Sequence, residues 1–234
     1  MHYNAIILAI YNESLDVYKP MKLRSNDYYN RFSQDIKVFY ITFRENQNEE
    51  IIEDGEFLYF KGTESFKPGI IMKTIKAMDY INKQYSYDYV VRTNVSTLIN
   101  IQNMLYYFST IPKKNYTGGF VLFNWFYSGT FIVVSKDVSE SLCSIDWSKE
   151  NIYEITDDVL ITEVMIKHQF PVNDIYKTNY TFEHCDNNNI ALHDDIEYNI
   201  EKYANVLCYR VRNDADRNVD LKYFDKIIRR LISN

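Results

Sequence analysis

The chain has 234 residues, a net charge of −6 and a hydrophobic fraction of 46%. These values are typical of one folded globular domain and exclude a disordered protein. The acidic balance also argues against a nucleic-acid partner, because affinity for nucleic acid depends on clustered Lys and Arg.

The apolar segments predict no membrane span. The apolar run from Ala5 to Ile10 is far shorter than a bilayer requires, and it lacks a basic leader and a cleavage site. Cys143, Cys185 and Cys208 are widely spaced without a CxxC pair, which is typical of a reducing compartment. We therefore expect a cytoplasmic protein without signal peptide or anchor. The sequence does not indicate its oligomeric state.

Strand and helix signals alternate through the first half of the chain. The predicted strands are Tyr3–Ile10, Ile36–Phe43, Phe57–Phe60 and Tyr87–Arg92, and the predicted helices are Met21–Phe32, Ser65–Lys83 and Ile101–Phe108. Wholly apolar strands that alternate with helices predict a Rossmann-like α/β fold, with a mainly parallel central sheet flanked by helices.

The second half has shorter and more mixed signals. Strands are predicted at Phe120–Phe123, Thr130–Ser135 and Cys208–Arg212, and helices at Thr156–His168 and Lys222–Ile232. We expect a single domain over residues 1–234. Its nucleotide-binding half would be residues 1–110, and its acceptor-binding half, with the C-terminal helix, residues 111–234.

Polar residues follow two of the predicted parallel strands. Tyr11-Asn12-Glu13-Ser14 comes after the first strand, and Thr93-Asn94-Val95-Ser96 comes after the fourth. Ligands of open α/β sheets bind outside the carboxyl ends of the strands. The sequence therefore predicts a site at this edge.

Four short blocks carry a family resemblance. They are Glu64-Ser65-Phe66 with Ile70-Ile71-Met72-Lys73-Thr74, then the run from Val91 to Asn100, then the run from Tyr127 to Ser135, and finally Asp157-Asp158-Val159. In order and spacing they resemble the β-1,3-galactosyltransferase-like family of inverting glycosyltransferases. The resemblance spans about residues 60 to 165 and implies a fold of the glycosyltransferase-A (GT-A) type.

The second block departs from the family at its metal-binding Asp-x-Asp motif, since Asn94 and Ser96 replace both acids. A diphosphate usually binds through a divalent cation, which prefers carboxylate ligands. Three alternatives stay open: Arg and Lys neutralise the diphosphate without metal; Mn²⁺ or Mg²⁺ binds through other residues such as His193, Asp194 or Asp195; or catalysis is lost. We favour the first and assign no metal ligand.

The strand ends and the resemblance supply the candidate donor-binding residues. These are Ala9, Tyr11, Arg24, Lys73, Arg92, Thr93, Asn94, Ser96, Arg210 and Arg212. For Lys73 the alternative is an exposed helix lysine, and for Arg92 an ordinary surface arginine. Arg210 and Arg212 fall on one face of a strand, where an anionic ligand or a neighbouring acid would have to separate their charges.

The resemblance assigns the catalytic base to Asp158, which would take a proton from the acceptor hydroxyl. The alternative is that Asp157 and Asp158 only stabilise the helix that begins after Thr156. The candidate acceptor-binding residues are Trp125, Tyr127, Ser128, Gly129 and Asp157. Gly129 would permit close approach of the sugar, although an ordinary tight turn also explains a glycine.

Together these features predict a glycosyltransferase that moves a sugar from a nucleoside-diphosphate sugar to a glycan or glycoside acceptor. By resemblance the donor is UDP-linked and the reaction inverting, and the lost acidic pair points to metal independence. The alternative is a catalytically inactive module that binds a glycan or nucleotide. A third alternative is a nucleotidyltransferase or another Rossmann-like enzyme, although the absence of GxGxxG and Walker motifs argues against dinucleotide oxidoreduction and ATP hydrolysis.

Overall fold

The computed structural model describes residues 1–185, 204–213 and 216–233. The helices are α1 (Tyr18–Tyr29), α2 (Gly69–Gln84), α3 (Ile101–Thr110), α4 (Lys136–Cys143), α5 (Asp157–Lys167) and α6 (Arg217–Ser233). The strands are β1 (His2–Ile10), β2 (Ile36–Arg44), β3 (Ile51–Asp54), β4 (Phe57–Lys61), β5 (Ser86–Asn94), β6 (Thr97–Ile99), β7 (Thr117–Leu122), β8 (Phe126–Ser135), β9 (Asn173–Asp174), β10 (Thr181–Cys185) and β11 (Val206–Val211).

Eight strands form the central sheet, in the order β3-β4-β2-β1-β5-β8-β7-β9. The four strands β4, β2, β1 and β5 run parallel, so their carboxyl ends lie along one edge. Outside this centre, β8 runs antiparallel to β5 and β7, and β3 runs antiparallel to β4. This mixed α/β architecture confirms the predicted fold class.

The sheet is covered on both faces by two hydrophobic clusters. Ile7 belongs to the cluster that also contains residues of α1, α3 and α6, whereas Ile6 and Leu8 belong to the cluster with residues of α2, α4 and α5. Successive side chains of a strand point to opposite faces. The continuous apolar run of β1 is therefore buried on both sides, as parallel sheets require.

A second sheet joins the far end of the chain to the carboxyl edge of the first. Its order is β10-β11-β6, with β11 antiparallel to β6 and Arg210 opposite Thr97. The strand predicted at Cys208–Arg212 is present as β11, starting two residues earlier. Since β6 directly follows the turn after β5, Arg210 comes close to Ser96.

Several predicted boundaries differ from the observed ones. Helix α1 begins at Tyr18, and a separate 3₁₀ turn, Asn30–Phe32, follows it. Helix α2 begins at Gly69 and not at Ser65, and the Ser65 hydroxyl accepts the Gly69 N–H, a donor without a partner in the helix itself, at 3.0 Å. In the described ranges, no helix has the length and apolar character needed to cross a membrane.

Candidate active site

A buried arginine, Arg92, lies where β5 meets β8 and α5, a place that we call the Arg92 corner. Arg92 is 2% exposed, and its guanidinium donates to the Gly129 carbonyl and to the Asp157 carboxylate. A Cβ at position 129 would lie 2.6 Å from Arg92 Nη1, so a larger residue there would displace the guanidinium from this contact. Because Arg92 is buried, the alternative of an ordinary surface arginine is wrong.

The two acids of this corner open α5 but differ in their surroundings. Burial raises the pKa of the Asp157 carboxyl, and the Arg92 guanidinium offsets part of that rise. Asp158 is partly exposed; its Oδ2 accepts the Gly129 N–H at 3.3 Å and its Oδ1 accepts the Val159 N–H at 3.0 Å. These contacts orient the Asp158 carboxylate and leave part of it open to a ligand.

The turn after β5 has no carboxylate at the two positions that differ from the family. The Asn94 side-chain amide donates to the Gly129 carbonyl at 2.7 Å. Ser96 is buried, and its hydroxyl accepts a hydrogen bond from the Arg210 guanidinium. Thr93 is also buried and binds the Thr130 carbonyl at 2.6 Å.

Arg210 reaches this turn from β11 and is partly exposed. Its Nη1 also lies 3.5 Å from the Thr97 hydroxyl, and no described carboxylate pairs with it. Burial lowers the pKa of Arg210 to about 10, and the charges of Arg212 and Arg217 add to this effect. The group therefore stays cationic at neutral pH without a bound counter-charge.

Lys73 is buried beneath the carboxyl edge at 1% exposure, so the alternative of an exposed helix lysine is wrong. Its ammonium donates to both Glu64 oxygens and to the Tyr11 carbonyl, each at 2.8 Å. Glu64 Oε1 also accepts from the Thr42 hydroxyl at 2.8 Å and from the Phe43 N–H at 2.7 Å. The pair thus joins the segments that follow β1 and β4 to the last residues of β2.

A cleft of about 380 Å³ opens beside the end of β1. Its lining is Tyr11, Glu13, Leu15, Asp16, Lys19, Lys22, Leu23, Phe57 and Tyr59. On its rim, the Arg44 guanidinium lies 3.5 Å from the centre of the Tyr59 ring and 2.9 Å from the Glu13 carboxylate. The lining therefore offers aromatic faces and both signs of charge.

A hairpin with aromatic residues at its tip joins β7 to β8, the strand that carries Gly129. Between β7 and β8, Phe123 and Asn124 have φ of 51° and 63°, and the Trp125 N–H closes the turn on the Leu122 carbonyl at 3.1 Å. Phe123 is 84% exposed and Trp125 47% exposed. Both rings are thus open to a ligand at the tip of the hairpin.

Tyr127 corrects one acceptor-binding expectation. It is fully buried, its hydroxyl lies 3.0 Å from the Thr117 hydroxyl, and its ring packs against Gly119. No face of this ring is available to a sugar, because β8 directs it into the core.

The remaining candidates differ in position. Ser128 is buried beside Gly129, and its hydroxyl contacts that of Thr130. Ala9 is buried within β1, whereas Arg212 is exposed. Arg24 pairs with Asp225 of α6 at 2.8 Å, and its contacts do not join it to the Arg92 corner.

Sequence reasoning did not assign a role to Glu64 or Thr97. Both belong to blocks that carry the family resemblance, so the motifs were a usable signal. The contact of Thr97 with Arg210 spans 113 positions, and no local pattern indicates it. Among the residues described, no three His, Cys, Asp or Glu side chains group in a way that could hold a metal ion, and the alternative ligands His193, Asp194 and Asp195 lie outside that set.

No protein-family model and no curated protein sequence matches the chain. Among solved structures, the crystal structure of a glycosyltransferase involved in the glycosylation of the major capsid of PBCV-1 is similar, with a TM-score of 0.51. The match covers 94% of this chain and 98% of that chain at 10% identity. At this identity the similarity concerns the fold, which is therefore glycosyltransferase-like.

Proposed function

We propose that the protein is an inverting glycosyltransferase that uses a nucleoside-diphosphate sugar, UDP-linked by the family resemblance. The observation that carries the proposal is the Asp158 carboxylate, partly exposed and oriented by the Gly129 N–H at the carboxyl edge of the sheet. This is the edge where open α/β folds bind ligands. The similarity to a solved glycosyltransferase fold supports the same class of reaction.

The donor would lie along the carboxyl ends of the parallel strands. The cleft beside Tyr11 suits the nucleoside, because aromatic side chains line it. The diphosphate would lie near Arg210, the described guanidinium without a carboxylate partner at this edge, and the sugar near Gly129. Transfer is then favoured because the arginine stabilises the negative charge that develops on the leaving diphosphate.

In the reaction, Asp158 accepts the proton of the acceptor hydroxyl as that oxygen bonds to the anomeric carbon. The bond from the anomeric carbon to the donor phosphate oxygen breaks, and its electron pair leaves with the nucleoside diphosphate. Attack from the opposite face inverts the configuration. Arg92 supports Asp158 indirectly, since it binds the carbonyl of Gly129, whose N–H holds the carboxylate.

The aromatic hairpin supports an acceptor with more than one ring. Trp125 is four residues from Gly129 along an extended segment, roughly 13 Å at the rise of a β-strand. A glycan chain whose terminal hydroxyl meets Asp158 would extend toward Trp125 and Phe123. Their exposed rings can pack against the apolar faces of its sugars.

The first test is thermal stabilisation by a panel of nucleotide sugars, with EDTA and with Mn²⁺, because a ligand specific for the folded state raises Tm. The stabilising donor is then used to measure sugar release to water and transfer to glycans. Turnover that Asp158→Asn abolishes supports the proposal.

The second candidate is a module that binds the nucleotide or glycan without turnover. The absence of carboxylates at Asn94 and Ser96 favours it. Stabilisation by a nucleotide sugar without sugar release or transfer would establish this alternative. No stabilisation by any nucleotide sugar would contradict the proposal of a donor site.

A further inference from the structure

The family resemblance implies a divalent cation at the turn after β5, and the residues there do not fit one. Asn94 is neutral and its amide nitrogen is bonded to the Gly129 carbonyl. Ser96 is neutral, buried, and accepts an N–H from Arg210. A dication at these oxygens would lie beside a guanidinium cation, and hard cations need carboxylate ligands that this turn lacks.

We infer that the Arg210 guanidinium takes the place of the cation and binds the diphosphate of the donor directly. The inference rests on the proposed function for the identity of the ligand. Arg210 supplies the positive charge, and its hydrogen bond to the Ser96 hydroxyl holds it in position.

The distribution of charge supports this role for Arg210. Arg92 is neutralised by Asp157, and Arg217 by Asp220, whose Oδ2 lies 2.5 Å from Arg217 Nε. Arg210 contacts only hydroxyl groups among the described residues. It therefore keeps a full positive charge that an anion can compensate, whereas Arg92 and Arg217 are already paired with carboxylates.

Guanidinium chemistry also suits the ligand. Arginine binds phosphate oxygens with two parallel N–H bonds and remains charged near pH 7. The Ser96 and Thr97 hydroxyls hold one side of the guanidinium, and its partial exposure leaves the other side open. Binding of the diphosphate should thus be independent of Mn²⁺ and Mg²⁺.

The test measures the Kd of UDP and of inorganic pyrophosphate, each in EDTA and in Mn²⁺. Pyrophosphate is included because it requires no nucleoside pocket. Arg210→Met should raise both Kd values about 10- to 100-fold, the range of a charge-assisted hydrogen bond. Arg210→Lys, which keeps the charge but loses the paired N–H groups, should raise them less. Arg229→Met, which removes an exposed charge roughly 18 Å along α6 from Arg217, is the matched control.

Ser96→Asp separates the two ways of binding a diphosphate. If Arg210 binds the phosphates, the new carboxylate pairs with it and weakens UDP binding about tenfold or more, in EDTA and in Mn²⁺ alike. If a metal binds here, the same change restores one acid of the motif and strengthens binding in Mn²⁺. This variant also serves if Arg210→Met does not fold.

Equal Kd values in EDTA and Mn²⁺, with losses in Arg210→Met or Ser96→Asp, support the inference. It is overturned if Mn²⁺ tightens wild-type binding tenfold, if Arg210→Met binds normally, or if neither probe binds the wild type. These binding measurements do not depend on sugar transfer. A protein that binds UDP through Arg210 without turnover contradicts only the proposed enzymatic function, and metal-dependent transfer contradicts only the inference.

Discussion

Gly129 connects the buried Arg92 to the partly exposed acid Asp158. Its carbonyl accepts a hydrogen bond from the Arg92 guanidinium, and its N–H donates to the Asp158 carboxylate at 3.3 Å. The position of the proposed base therefore depends on a residue that has no side chain of its own.

Gly129→Ala should disrupt this connection. The added methyl would lie 2.6 Å from Arg92 Nη1 and 3.3 Å from Asp158 Oδ2, so the guanidinium must move. We expect a loss of about 1–3 kcal/mol in the free energy of unfolding, as for other overpacked sites. Sugar release from the donor should also fall about tenfold or more, because Asp158 loses its orientation.

Gly118→Ala is the control for this variant. Its methyl would lie 2.8 Å from the Tyr116 hydroxyl, on β7 and away from Arg92. It should cost similar stability in urea titrations without changing turnover per folded molecule. Equal turnover in both variants would contradict the role of Gly129.

The two adjacent acids should respond differently to amide substitution. Asp158→Asn should lower the transfer rate about 10²- to 10⁴-fold, the usual contribution of a general base, with donor Kd nearly unchanged. Asp157→Asn leaves the buried Arg92 without its counter-charge and should cost about 3–5 kcal/mol of stability. Steady-state kinetics and urea unfolding of both variants check this. Unchanged turnover in Asp158→Asn would leave helix stabilisation as its role.

Lys73 and Glu64 should behave as a coupled pair. Lys73→Met or Glu64→Gln alone leaves one charge without its partner and should cost about 3–5 kcal/mol, because the ammonium is buried. The double variant should cost less than the sum of the two, since neither charge then remains. Urea unfolding of the four proteins measures the coupling. Additive losses would show that the pair does not act as a unit.

The strand–helix alternation, and the edge of the sheet where the candidate site lies, could be predicted because they depend on local patterns. The apolar run of β1 indicates a strand buried on both faces, and the turn after Arg92 follows directly from the strand before it. The helix that opens at Asp157 was recognisable from the two acids after Thr156. Such signals lie within a few residues of the feature they predict.

The contacts of the charged residues could not be predicted in the same way. A lysine in an amphipathic helix gives the same pattern whether it is exposed or, like Lys73, bonded to Glu64 beneath three strand ends. Arg210 was expected to have an acid or anion beside it, and its observed partners are the hydroxyls of Ser96 and Thr97. The short strand β6, only three residues long, brings them together and has too few residues to show a periodicity.

Backbone strain in the aromatic hairpin should be measurable. Phe123 has a φ of 51°, a conformation that costs non-glycine residues about 1–2 kcal/mol. Phe123→Gly should therefore be more stable than Phe123→Ala by about 0.5–1 kcal/mol, because both remove the ring and only glycine removes the strain. Urea unfolding compares them. Both variants lack the ring, so both should raise the acceptor KM if the ring contacts the glycan. A functional contact of this kind would explain why the strained conformation is kept.

High pH should destabilise the protein through its buried tyrosines. Burial raises the pKa of Tyr28, Tyr29, Tyr40, Tyr107 and Tyr127, all at most 5% exposed. Above about pH 10 the unfolded chain loses these protons while the folded chain keeps them. The folded state then binds more protons, so the free energy of unfolding falls as pH rises, by about 1.4 kcal/mol per pH unit for each group.

Among the residues that the structure describes, two cationic groups oppose this trend. The pKa of Lys73 and that of Arg210 are lowered mainly by burial, so the folded state releases these protons first and gains stability with rising pH. Five tyrosines outweigh two cations, and the net slope should be negative above about pH 10. Urea midpoints at about pH 8 and about pH 10.5 measure it, and tyrosinate absorbance reports ionisation directly. If all 22 tyrosines ionised in the folded protein with an ordinary midpoint near 10, the explanation would be contradicted, because the buried hydroxyls would then ionise without unfolding.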